Sequence, residues 1–137
     1  MIFGIGTDLV DIERITGTYR RFGRRFVERL LMPEELKAFA RHEAREVRAV
    51  RFLAQRFAAK EAIVKALGTG FSHGVWIRDC GVVQNAWGRP GVVWSERGRR
   101  VCATLGAGEG HVTLSDEAGL VLAVAVLLVS PARPGSA

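Results

Sequence analysis

The stretch from Glu46 to Leu67 constrains this chain most. Val50, Leu53, Ala54, Phe57, Ala58, Ala62 and Leu67 recur with a 3.6-residue period, which predicts one long amphipathic helix. Gly68-Thr69-Gly70 follows directly, and glycine just past the last turn is the usual helix stop. A helix of this length, apolar along one stripe, needs a second layer to cover it.

The second half of the chain supplies that layer. Val75-Trp76-Ile77, Cys80 to Gln84, Val92-Val93-Trp94, His111 to Leu114 and Leu120 to Val129 are strand-like, with Asn85 to Pro90 a turn between two of them. Ser95 caps a helix running to Leu105, and Asp116 to Gly119 closes a hairpin. The chain begins with a buried strand, Ile2 to Asp8. Its alternating glycines Gly4 and Gly6 indicate close backbone approach on one face. Leu9 to Ile15 shifts to helical spacing, and Pro33-Glu34-Glu35 opens a helix expected to reach Arg45. The order reads as α+β, with helices packed on a mostly antiparallel sheet. A single domain spans residues 1–130, followed by a loose tail from Pro131 to Ala137.

Composition narrows the class. Of the 137 residues 48% are apolar and 25% charged, which fits a packed globular domain. The longest apolar run, Leu120 to Val129, is too short for a membrane helix. Cys80 and Cys102 lack metal-ligand spacing and read as reduced, buried thiols of a cytoplasmic protein. The net charge is +6, and only three of the 20 basic residues are lysines, Lys37, Lys60 and Lys65. Arg14, Arg20, Arg21, Arg24, Arg25 and Arg29 cluster around a single acid, Glu28, with Tyr19, Phe22 and Phe26 interleaved. Such a field attracts an anionic partner: nucleic acid, a membrane surface or an acidic protein.

Phe57, Glu61 and Lys65 are spaced four apart on the long helix and share one face. Alone, Glu61 and Lys65 make an ordinary surface pair worth a few tenths of a kcal/mol. Their setting argues for more. Arg56, Lys60 and Lys65 bring three cations within three turns, and Gly68-Thr69-Gly70 could offer backbone N–H groups to phosphates. Asp8 sits where the glycine-rich strand ends. It reads either as a helix cap or, with Glu61, as half of a magnesium site of the kind that needs one or two carboxylates plus substrate phosphates.

Two segments carry a resemblance. Gly4-Ile5-Gly6-Thr7-Asp8-Leu9-Val10-Asp11-Ile12-Glu13-Arg14-Ile15 resembles the amino-terminal motif of the holo-acyl-carrier-protein synthases, a family of phosphopantetheinyl transferases. Arg56 to Ala62 with Lys65 to Gly70 resembles their second motif, in the same order and at the expected distance. The resemblance implies transfer of the phosphopantetheine arm of coenzyme A to a serine of an acyl carrier protein. It implies Mg2+ held by Asp8 and Glu61, with Lys65 near the pyrophosphate. Arg56 and the turn Gly88-Arg89-Pro90 would contact coenzyme A. Arg14, Arg21, Arg25 and Arg29, with Phe26 as an apolar anchor, would dock an acidic carrier protein. It further implies a homotrimer with active sites between subunits, and no nucleic-acid or membrane partner.

One position departs from the family pattern. Where the last motif usually ends in a histidine, Ser115 is followed by Asp116. Asp116 is therefore expected at the catalytic site, altering proton transfer or adding a carboxylate to the metal shell. His111 lies too far back on the strand to replace the histidine and reads as structural, and His42 and His73 as surface or loop residues. Two other readings compete: a catalytically altered family member acting as a carrier-binding scaffold, and a basic nucleic-acid-binding module. The second leaves the placement of Asp8 and Glu61 unexplained.

Overall fold

The computed structural model describes residues 1–131, so the expected tail lies, apart from Pro131, outside the described residues. Five α-helices pack on a five-stranded antiparallel sheet of order β1-β5-β4-β3-β2. The strands are β1 (Ile2–Asp11), β2 (Cys80–Gln84), β3 (Pro90–Trp94), β4 (Ala107–Glu117) and β5 (Leu120–Val129). The helices are α1 (Ile12–Phe22), α2 (Arg24–Leu30), α3 (Pro33–Phe39), α4 (Glu46–Leu67) and α5 (Glu96–Leu105). No helix among the described residues is long and apolar enough to cross a membrane.

The predicted long helix is α4, with the predicted bounds. It runs between the sheet and helices α1 to α3, so it is buried on more than its apolar stripe. Leu53, Ala54, Ala58, Ala62, Ile63 and Val64 have no exposed surface, and neither do Val121, Ala123, Ala125 and Leu127 of β5. Each fully buried Leu, Ile or Val contributes roughly 1.5–3 kcal/mol of transfer free energy. The two glycines of β1 set how close α4 comes. A Cβ on Gly4 would collide with the Ala66 carbonyl, and one on Gly6 with that of Ala62. The β4–β5 hairpin turns through Ala118 and Gly119, both at positive φ (55° and 78°), the geometry that matches strand twist.

Three sequence expectations give way to tertiary pairing. Leu9, Val10 and Asp11 are not helical: they pair with Leu122, Val121 and Leu120 of β5, so β1 runs on to Asp11. Asp11, rather than Asp8, caps α1, its Oδ1 accepting from the Glu13 amide at 2.9 Å. Val75 to Ile77 is no strand but leads into a 3-10 turn, Ile77–Asp79. Asp79 organises that turn by accepting from the Trp76 amide at 2.8 Å and the Ser95 hydroxyl at 2.7 Å. Helix α3 stops at Phe39, short of Arg45, and the chain turns before α4. Ser95 caps α5 as expected, accepting from the Gly98 amide at 3.0 Å.

Candidate active site

Asp8 lies on β1 opposite Ala123, on the sheet face that meets α4. That places it beside the Glu61–Lys65 face of the helix. Lys65 Nζ donates to the Thr7 carbonyl at 2.9 Å and to Asp8 Oδ1 at 3.2 Å. Asp8 and Glu61 line one cleft of about 350 Å3 together with Arg14, Phe26 and Phe57. The carboxyl of Glu61 is held above its usual range, first by burial and then by the charge of Asp8, with Lys65 opposing. A buried carboxyl whose charge is disfavoured by a neighbouring carboxylate suits a divalent cation, and magnesium needs no third protein ligand when phosphates and water complete its shell. Among the described residues no cluster of three or more His, Cys, Asp or Glu exists.

A second basic pocket lies farther toward the start of α4. His42, Arg48, Arg51, Phe52 and Arg56 line a cavity of about 230 Å3. Arg56 is 3% exposed, its guanidinium 4.2 Å over the Phe52 ring, and its Nε has no hydrogen-bond partner. Glu35 stands 3.7 Å away but is already engaged by Lys60 at 2.6 Å. The net charge of Glu35, Lys60 and Arg56 is therefore positive, and it faces this pocket.

The family model described as the 4'-phosphopantetheinyl transferase superfamily matches residues 4–125. The chain belongs to that superfamily. A holo-[acyl-carrier-protein] synthase of Rhodopseudomonas palustris is 42% identical over 137 residues, covering 98% of this chain and 99% of that protein. The crystal structure of the Neisseria meningitidis holo-[acyl-carrier-protein] synthase superposes with a TM-score of 0.85 at 38% identity, covering 93% of this chain and 98% of that one. A Bacillus anthracis holo-(acyl-carrier-protein) synthase in complex with CoA (3',5'-ADP) superposes at 0.77 with 31% identity, covering 95% and 99%.

Within this superfamily member, several expected coenzyme contacts take other roles. Lys60 is wholly buried: besides Glu35, it donates to the carbonyls of Ile77 at 3.1 Å and Cys80 at 2.6 Å. Glu35 in turn accepts from the amides of Met32 and Val82, both at 3.0 Å. Lys60 thus ties α3, α4 and β2 together and cannot reach a ligand. The sequence does not show this, because the face of α4 that meets α3 is hidden by tertiary packing.

The amides of Gly68, Thr69 and Gly70 are likewise spent, all pointing back to the Val64 carbonyl at 3.0–3.3 Å. The loop closes α4, with Gly68 at φ 87°. Its amides do not form the expected phosphate cradle, although Thr69 lines a separate cleft with His73, Arg97 and Arg100. Arg89 and Pro90 line a fourth cleft, of about 450 Å3, with Asn85, Trp94 and His111. The expected coenzyme contacts are thus dispersed over one chain.

Asp116 is not beside Asp8 and Glu61. It accepts from Gln55 Nε2 at 3.0 Å and lies 4.0 Å from Arg51. Gln55 precedes Glu61 by six residues, about 9 Å along the helix axis. Asp116 therefore adjoins the arginine pocket, and within one chain it adds nothing to the Asp8–Glu61 pair. Sequence reasoning missed Arg48, Arg51 and His42. The available signal was the run of basic residues one turn apart leading into Arg56.

The arginines of α1 and α2 sort into two groups. Arg20 pairs with Glu46 at 2.6 Å, and Arg24 with Glu28 at 3.2 Å and Glu43 at 3.3 Å. Among the described residues, Arg14, Arg21, Arg25 and Arg29 form no ion pair. Arg25, Phe26 and Arg29 line a mostly apolar hollow with Phe22 and Thr18, and Arg14 and Phe26 reach the Asp8 cleft. Thr18 and Phe26 line both hollows, so Arg14, Arg25, Phe26 and Arg29 of the expected docking set share one surface that ends at the candidate metal site, while Arg21 lies over the Phe22 ring at 5.0 Å.

Proposed function

We propose that this chain transfers the 4'-phosphopantetheine arm of coenzyme A to a serine of an apo acyl carrier protein, releasing adenosine 3',5'-bisphosphate. The observation that carries this reading is the cleft in which Asp8 and Glu61 meet directly beside the unpaired arginine surface. The activity named for the relatives supports it.

Asp8 and Glu61 would hold Mg2+, which supplies charge neutralisation for the bound pyrophosphate. Arg14, Arg21, Arg25 and Arg29 orient an acidic carrier protein so that its serine reaches this cleft. The serine oxygen forms a bond to the phosphorus that carries the pantetheine arm. The bond from that phosphorus to the bridging oxygen breaks, the nucleotide leaves with the bridging oxygen, and the hydroxyl proton passes to solvent. Lys65, exposed over half its side chain and tethered at Asp8, stabilises the charge that develops on the phosphates. The arginine pocket at Arg48, Arg51 and Arg56 receives the remaining terminal phosphate of the coenzyme.

A homotrimer fits the same reading. Ile5, Leu9 and Leu122 stand 59%, 62% and 42% exposed on the sheet face away from α4, an apolar strip that asks for cover. Association through it would suit active sites that lie between subunits, as the resemblance implies. The two buried thiols fit a cytoplasmic protein.

The test mixes the protein with coenzyme A, Mg2+ and an apo carrier protein, and follows the carrier by mass spectrometry. The mass gain of the arm is expected. Carrier binding without that gain would favour the scaffold reading that Asp116 first suggested.

A further inference from the structure

We infer that His42 tunes the arginine pocket to a phosphomonoester dianion: as a neutral imidazole it holds Arg48 in place, and when the dianion enters it takes up a proton and becomes a further cation. This rests on the proposed reading of coenzyme A as substrate.

The geometry fixes the starting state. His42 Nδ1 lies 2.9 Å from Arg48 Nη2, and the imidazole stacks on Phe52 at 5.3 Å and 30°. A guanidinium only donates, so Nδ1 must be the acceptor and the ring carries its hydrogen on Nε2. Facing His42 from α4 are Arg48, Arg51 and Arg56; Arg41 and Glu43 flank it on its own segment, and uncharged Gln84 closes the pocket from β2. The nearby acids are already engaged: Glu43 with Arg24, Glu35 of α3 with Lys60, and Asp116 of β4 with Gln55. The field at the ring is therefore cationic. Burial, then Arg48, Arg56 and Arg41, hold its pKa below the ordinary value of 6.5.

A dianion lodged among the three arginines cancels that field and draws Arg48 away from Nδ1. The freed nitrogen then binds a proton. A phosphate that is part of a diester or anhydride chain carries about one charge and cancels less. Of the phosphates in coenzyme A, only the terminal monoester approaches two charges at neutral pH. His42 thus adds to recognition of that group and makes it dependent on pH in the range where imidazole titrates.

Calorimetry of the intact protein with Mg2+ and no carrier tests this near pH 6, in buffers of low and high ionisation enthalpy. Coenzyme A and dephospho-coenzyme A, which lacks the terminal phosphate, are each titrated into the wild type and into His42→Asn. Asparagine keeps an acceptor for Arg48 but cannot titrate. The wild type is expected to take up more protons than the variant on binding coenzyme A, by up to about one. The affinity gap between the two proteins should widen as pH falls from 8 to 6, by at most tenfold per unit. With dephospho-coenzyme A the two proteins should not differ. Equal proton uptake by both proteins on binding coenzyme A would overturn the role of His42 while leaving the transferase reading intact. Absence of any coenzyme A binding would sink both. Should His42→Asn not fold, the His42 ring proton in the NMR spectrum of the wild type decides: its titration midpoint must rise on adding coenzyme A, and an unmoved midpoint refutes the inference.

Discussion

Lys65 Nζ sits 3.2 Å from Asp8 Oδ1, bridging the long helix to the first strand at the mouth of the candidate metal cleft. The same amine donates to the Thr7 carbonyl at 2.9 Å, so the backbone helps to hold it there. A cation in this position competes with a metal ion for Asp8 while remaining available to phosphate.

Lys65→Met should separate those two effects. Without its ammonium, Asp8 is freed and the local positive charge falls, so Mg2+ should bind more tightly to the protein lacking coenzyme. Transfer should nevertheless drop by about 100-fold, the scale of losing one charged stabiliser of a transition state. Metal titration by calorimetry and a carrier-modification assay measure the two quantities. Weaker Mg2+ binding in the variant would contradict the competition.

Glu61→Gln should abolish transfer, by about 100-fold or more, and leave the fold intact. Its stability carries a further signature. Because the folded-state pKa of Glu61 is raised above 4.5, its favourable contribution is complete below that value and is lost as pH rises through the folded value. The ionised group therefore destabilises the metal-free protein at neutral pH. Thermal melts without metal should show Glu61→Gln above the wild type at pH 7, with the gap closing by about pH 4. Added Mg2+ should raise Tm in the wild type only. Full activity in this variant would remove Glu61 from the metal site.

Lys60→Met should lower stability by about 3 kcal/mol, because buried Glu35 loses its nearest cation and keeps only Arg56 at 3.7 Å and two amide donors. Adding Glu35→Gln should recover part of that loss. The KM for coenzyme A should stay unchanged in whatever folds, since Lys60 is sealed from solvent. Chemical denaturation and steady-state kinetics check both. A selective rise in KM would return Lys60 to the coenzyme site.

Arg14→Glu with Arg25→Glu should raise the KM for the carrier protein at least tenfold and spare coenzyme A binding. Arg20→Ala serves as the control, because Arg20 is tied to Glu46 at 2.6 Å. Equal loss of carrier and coenzyme binding in the double variant would refute the docking role.

Much of the fold follows from local pattern. The period of α4, the glycine stop at Gly68, the Ser95 cap and the β4–β5 turn are interactions within a few residues of chain, and the sequence alone determines them. Asp8 and Glu61 stand out as candidate ligands because both sit in segments that resemble family motifs, but only the packing of α4 on β1 brings them to one cleft. Tertiary structure decided what depends on distant partners. Leu9 to Asp11 looks helical until β5 pairs with it. Lys60 and Lys65 are near neighbours on one helix with the same chemistry, yet one faces Glu35 in the core and the other faces Asp8 at the surface. The loop amides of Gly68 to Gly70 are consumed by the helix end they close. Sequence specifies which groups are present and how the backbone repeats. Burial and partner geometry, set only when the helix meets the sheet, decide which of those groups remain free for chemistry.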